Sequence, residues 1–188
     1  MRIEKLQENF NIEVELVHVP LHPDTPLDGQ TLKQLFPGRT DEQIEAQYQN
    51  MKGLMDAEGL PYGKRTHTYN SRLAQELGKW ADTQDGGAAL HDALYRAYFV
   101  DARNIGDVDV LLDLVEKCGL PVEEAKTVLT DRTFKDAIDA DWSRSHQIGV
   151  TGVPTFVAGG YGVVGAQPYE TIAHLLTEVG AAARGDAG

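Results

Sequence analysis

A chain of 188 residues, 41% hydrophobic and 24% charged, is long enough to bury a core and has the composition of a globular protein in water. Its net charge of −12, from 29 acids against 17 bases, excludes the basic footprint that nucleic acid or an anionic membrane requires. No apolar run approaches a membrane span, Met1–Lys5 opens no signal-peptide core, and a single cysteine fits a reducing compartment, so a cytoplasmic protein is expected.

Ile3, Leu6 and Phe10 stand at helical spacing and predict a helix over residues 2–10. At Ile12 the period changes to two. Ile12, Val14 and Leu16 alternate with Glu13 and Glu15, which predicts a strand over 12–17 that ends at Pro20. His22-Pro23-Asp24-Thr25-Pro26-Leu27-Asp28-Gly29 reads as a rigid, irregular loop.

Every periodic segment between Thr31 and Ile148 is helical. Thr40 and Gln43 have capping-box spacing and open a helix carrying Ile44, Tyr48, Met51 and Met55, with Gly59 at its end. Asn70 is the expected cap of a second helix with Leu73, Leu77 and Trp80 inward, and Leu90, Leu94, Ala97 and Tyr98 mark a third. Asp107 caps a fourth, which ends at Gly119; Pro121 sits in the first turn of a fifth. A last helix runs from about Arg132 to Ile148.

Gly149-Val150-Thr151-Gly152-Val153-Pro154 then leads directly into Thr155–Ala158. Two short apolar runs around Gly159-Gly160 predict a β-hairpin, Pro168 opens a closing helix, and Gly180–Gly188 reads as a frayed tail. The order is partial helix, strand, several helices, hairpin, helix. One domain built from both chain ends, with a helical insertion between them, accounts for it.

Other chemistry is weaker. The six histidines are scattered, and Pro20 interrupts the spacing of His18 and His22, so they read as solvated or turn residues rather than metal ligands. His146 reads as an exposed helix position. Asp136, Asp139 and Asp141 read as a solvated face, and Trp80, Tyr98, Phe99 and Trp142 as packing. Cys118 closes an apolar helix, where burial and the helix dipole both raise a thiol's pKa; it reads as a core cysteine. No metal site or cofactor is expected.

Five runs in order carry a resemblance: Leu21-His22-Pro23-Asp24-Thr25-Pro26, Tyr69-Asn70-Ser71-Arg72-Leu73-Ala74, Arg96-Ala97-Tyr98-Phe99 with Asn104-Ile105-Gly106-Asp107, Gly149 to Pro154, and Gly165-Ala166-Gln167-Pro168. On these the chain resembles the DsbA-like thioredoxin-fold oxidoreductases, in particular the cytoplasmic, polyketide-associated FrnE type. The resemblance implies an α/β fold, with an N-terminally truncated thioredoxin-like core over residues 1–30 and 131–188 and an all-helical insertion over 31–130. It also implies that Val153-Pro154 is the cis-proline loop. Thr151, Gly152, Val153 and Pro154 would then bind the main chain of an extended partner strand by β-augmentation.

The family's first strand and Cys-x-x-Cys motif have no counterpart here, because Met1–Asn11 aligns with the end of the helix that follows them. In that chemistry a helix N-terminus lowers the first cysteine's pKa, its thiolate attacks a disulfide, and the second cysteine resolves the mixed disulfide. Catalytic residues are therefore expected to be none in this chain. The absent strand is the central one, and each buried backbone group left without a partner costs about 1–3 kcal/mol. Either the sequence is shortened at its N-terminus, which is the favoured reading, or the sheet rearranges or takes a strand from a second copy as a homodimer.

The implied function is thiol–disulfide exchange, without activity in this chain for want of the dithiol. The partner would be a thiol- or disulfide-containing protein or a small thiol such as glutathione, with no nucleic acid and no membrane. A non-catalytic thioredoxin-fold binding module and a glutathione-dependent kappa-type transferase or isomerase are the alternatives.

Overall fold

The computed structural model describes residues 2–185. The chain divides into two units, one of residues up to 21 together with those from 141 onward, the other of residues 22–140. The sequence reading drew the cuts at 30/31 and 130/131.

In the first unit the Ile3, Leu6, Phe10 stripe forms α1 (Arg2–Asn9). Leu6 and Phe10 are buried against Ile172 and Leu176 of the closing helix, here called α9 (Tyr169–Glu178). One face of the hairpin joins the same core through Phe156, Ala158 and Val163. Its strands, Thr155–Ala158 and Tyr161–Val164, pair antiparallel in the register Thr155↔Val164, Phe156↔Val163, Val157↔Gly162, Ala158↔Tyr161. The two-residue turn needs positive φ at both positions, and Gly159 and Gly160 supply it at 56° and 85°.

Two expectations fail in this unit. Residues 11–20 form no strand, although their period is two. A strand is defined by a neighbour, and among the described residues no strand pairs with this segment. Val14 and Leu16, inward on the sequence pattern, are 36% and 53% exposed. The tail is also not free as far as Arg184. Ala182 accepts the Asn11 amide at 2.8 Å, and the Arg184 amide donates to the Asn9 carbonyl at 2.7 Å. The rest of the expected frayed tail, residues 186–188, lies outside the described residues.

The second unit holds a short sheet of β1 (Gln30–Thr31) and β2 (His67–Thr68), then α2 (Leu32–Leu35) and α3 (Asp41–Ala57). A four-helix core follows: α4 (Arg72–Ala81), α5 (Ala88–Tyr95), α6 (Val108–Lys117) and α7 (Val122–Asp131). In order along the chain, the hairpin strands are then β3 and β4, and α8 (Lys135–Gln147) precedes them, crossing the boundary between units. Leu77, Trp80, Leu90, Leu111, Val115, Ala125 and Leu129 fill the core.

The caps follow the sequence. Thr40 and Gln43 close a capping box, and the Asp107 carboxylate accepts the Asp109 amide. Asn70 acts one residue early: Ser71 is the helix boundary, while the Asn70 side chain accepts the Arg72 amide at 2.9 Å. β1, β2, α2 and a π-helical turn over Arg96–Val100 were not anticipated.

Glu76, on α4, is fully buried within this core. Arg132 grips its carboxylate with two hydrogen bonds, at 2.6 and 2.7 Å, and Arg72 adds a third at 2.6 Å. Arg72 also donates to the Lys135 carbonyl at 2.8 Å and pairs with Asp139. Burial pushes the Glu76 carboxyl upward, but the Arg132 and Arg72 guanidinium groups outweigh it and leave it below the ordinary value of 4.5. A depressed folded pKa contributes stability that is complete above about pH 4.5 and is lost as pH falls through the folded value. Removing one partner of a buried pair costs about 3–5 kcal/mol. Because Arg132 is 39% exposed, Glu76→Gln is expected near the lower end, about 3 kcal/mol, in denaturant unfolding at pH 7. The difference between parent and variant should shrink below about pH 4.5, and a pH-independent difference would contradict the charge assignment.

Candidate functional site

α8 stops where Gly149 takes a φ of 73°, and the Val150 amide folds back to the Ser145 carbonyl at 2.9 Å. The next residues form a shelf. Thr151, Val153 and Pro154 are exposed, Val153 by 50%, and the Val153–Pro154 peptide bond is cis. Two bonds hold the loop in place: the Thr155 hydroxyl donates to the Gly152 carbonyl at 2.7 Å, and the Gly165 amide donates to the Pro154 carbonyl at 2.8 Å. Among the described residues, the main-chain N–H and C=O of Thr151 and Val153 make no hydrogen bond.

The Gly165–Pro154 bond fixes the phase of the hairpin. In an antiparallel ladder, bonded and non-bonded pairs alternate. With Pro154 and Gly165 bonded, Phe156↔Val163 and Ala158↔Tyr161 are the bonded pairs in the observed register. The amides and carbonyls of Thr155 and Val157 therefore point away from β4. No strand among the described residues pairs with that edge. The edge thus presents main-chain groups at every second residue, flanked by the half-exposed Val153 and Val157.

All four residues expected to bind a partner, Thr151, Gly152, Val153 and Pro154, lie on this shelf. The run Gly165–Pro168 meets it through the Gly165 amide, and the Gln167 side chain donates to the Val164 carbonyl at 2.6 Å. Three other runs converge in the second unit. Asn70 donates to the Thr25 carbonyl at 2.7 Å and Asn104 to the Leu27 carbonyl at 3.2 Å, so two amides clamp the His22–Gly29 loop.

A polar pair in the first unit was missed. Asp141 is buried, not part of a solvated face, and accepts the His18 amide at 3.2 Å with the His18 Nδ1 3.0 Å away. His18 is accordingly a half-buried residue that ties the segment after α1 to α8, rather than a solvated histidine. Ile138, Asp141 and Ser145 are all buried and recur at helical spacing, which was the available signal. His146 is exposed.

Cys118 caps α6 in the second unit and is half-buried against the core rather than sealed within it. Burial pushes its thiol up, and the Asp92 carboxylate adds to the effect. A thiol in that state is a poor nucleophile near neutral pH. Among the described residues, no group of three or more His, Cys, Asp or Glu side chains is placed to hold a metal, and no helix is long and apolar enough to cross a membrane.

Comparison with known proteins agrees with this architecture. The model of the DSBA-like thioredoxin domain matches residues 1–177. The probable DsbA oxidoreductase of Streptomyces coelicolor superposes with a TM-score of 0.85 and 33% identity, over 95% of this chain and 81% of that one. A 2-hydroxychromene-2-carboxylate isomerase superposes at 0.66 with 16% identity, over 95% and 85% of the two chains, which shows a shared fold. YwbO of Bacillus subtilis (strain 168) is 32% identical over 101 residues, 53% of this chain; the chain matches about half the length of that curated relative, 50%. The chain belongs to the DsbA-like thioredoxin domain family.

Proposed function

We propose that this chain supplies the partner-holding half of a cytoplasmic thiol–disulfide oxidoreductase. The observation that carries the reading is the unpaired main chain of Val153, next to the free edge of β3 at Thr155 and Val157. An extended segment of a thiol- or disulfide-containing protein would add there as a strand. A small thiol such as glutathione, whose cysteinyl residue carries one N–H and one C=O, would use the Val153 position alone. Exchange itself needs a thiolate beside the shelf. The sequence has one cysteine, and Cys118 lies at the end of α6 with a raised pKa. The reading is therefore binding without turnover.

Two experiments test it. In an insulin turbidity assay with dithiothreitol, the chain should give no precipitation above the reductant alone; turnover that disappears in Cys118→Ser would overturn the assignment of Cys118 to packing. Binding is tested with a short extended valine-rich peptide and with the same peptide N-methylated at alternate amides. Strand addition predicts that methylation weakens binding about tenfold or more, the equivalent of one or two lost hydrogen bonds. Val157→Pro should act similarly, because its amide points away from β4 and proline is tolerated on such an edge. Equal binding of both peptides would contradict the shelf.

A further inference from the structure

The seam between α4 and α7 in the second unit holds a cleft of about 430 Å3, within the size range of small-molecule sites. Glu123, Glu124 and Thr127 of α7 are exposed and form its rim, while Trp80 of α4 and Val128, 3% and 5% exposed, form its floor. The helical period sets this arrangement. Thr127 stands one turn after Glu123 and Val128 one turn after Glu124, so two adjacent rows of α7 run into the cleft from its acidic end. The Thr127 hydroxyl donates to the Glu123 carbonyl at 3.0 Å, which leaves it without a proton for anything else.

Trp80 packs in the apolar cluster of this unit, as its helical spacing predicts, but its indole N–H has no acceptor among the described residues. Thr25 Oγ1 is the single side-chain N or O among them that is both sealed from solvent and without a partner. The Trp80 N–H is therefore unpartnered yet not sealed, and the cleft that Trp80 lines is the opening it reaches. Tryptophan that is otherwise buried usually satisfies this donor. Above it, neither the Glu123 nor the Glu124 carboxylate has a base or a donor among the described residues, whereas Asp92, Asp113 and Asp139 are each paired. Both glutamates lie in the first turn of α7, where negative charge offsets the helix dipole. That role accounts for two carboxylates but not for the open N–H beneath them.

A donor in the floor below two negative charges calls for a ligand with an acceptor oxygen at one end and a cation at the other. We propose that the cleft binds a small alkylammonium ligand bearing an amide carbonyl. The Trp80 N–H takes the carbonyl oxygen, Glu123 and Glu124 take the ammonium, and Val128 lies under the chain between them; no covalent step is involved, and the site is independent of the β3 edge. The test titrates the full chain with N-acetyl-1,4-diaminobutane, with N-butylacetamide, which lacks the charge, and with butylamine, which lacks the carbonyl. Binding is followed by the indole N–H resonances of Trp80 and Trp142. The acetylated diamine should bind saturably, shift Trp80 and leave Trp142 in place, and bind about tenfold more tightly than N-butylacetamide, the measure of one charge-assisted contact. Its advantage over butylamine should be about fivefold, the measure of one neutral hydrogen bond. Glu123→Gln combined with Glu124→Gln should abolish the preference over N-butylacetamide while the Trp80 resonance still responds to both ligands. Should that variant fail to fold, the three affinities on the parent chain still decide. Equal affinities, no saturation at 100-fold the concentrations of about 1 mM typical of weak ligands, or a Trp80 resonance that does not move would each overturn the proposal.

Discussion

The hydrogen bond from the Gly165 amide to the Pro154 carbonyl, 2.8 Å long, sets the phase on which the candidate site depends. Proline has no N–H, so this pair carries one bond instead of two, and the alternation of the ladder starts from it. From Pro154 inward, the even-numbered residues of β3 bond to β4 and the odd-numbered ones turn the other way. Phe156 and Ala158 put their side chains into the core with Leu6 and Ile172, while Val153 and Val157 remain half-exposed. One bond therefore relates the packing of the first unit to the direction in which its free main-chain groups point.

A protein cannot bury such groups cheaply, and this chain does not bury them. Val14, Leu16, Val153, Val157 and Val164, each 36% exposed or more, all belong to the first unit. Long, apolar, unpaired edges invite association with another strand, which in most proteins is a hazard and in a β-augmentation site is the function. In the second unit the buried Glu76 is satisfied by Arg132 and Arg72, and the helices surround a continuous apolar cluster, while Leu27 and Leu54 are more than half exposed.

Much of this was legible in the sequence because it is local. Thr40 and Gln43, Asp107, and the Gly159-Gly160 pair each specify a cap or turn by chemistry within a few residues. What was not legible depends on distant partners. Residues 12–17 have the pattern of a strand, but the pattern states only which face would be apolar and cannot supply a neighbour. β1 and β2 are two residues each, too short for a period, and are joined across 36 positions by the Thr31↔His67 pair. Asp141 was misread because it was grouped with Asp136 and Asp139 by type; its spacing from Ile138 and Ser145 places it on the buried face. At the shelf, the residues were found from resemblance, whereas the direction of the free edge follows from register alone.

Amide-resolved hydrogen exchange on the isolated chain tests the central claim most directly. The account predicts an alternation along the hairpin: the amides of Val153, Thr155 and Val157 exchange close to the rate of an unstructured chain, while those of Phe156 and Ala158, bonded to β4, exchange much more slowly. Protection of Val153, Thr155 and Val157 equal to that of Phe156 would mean that the edge is already paired and not open to a partner strand.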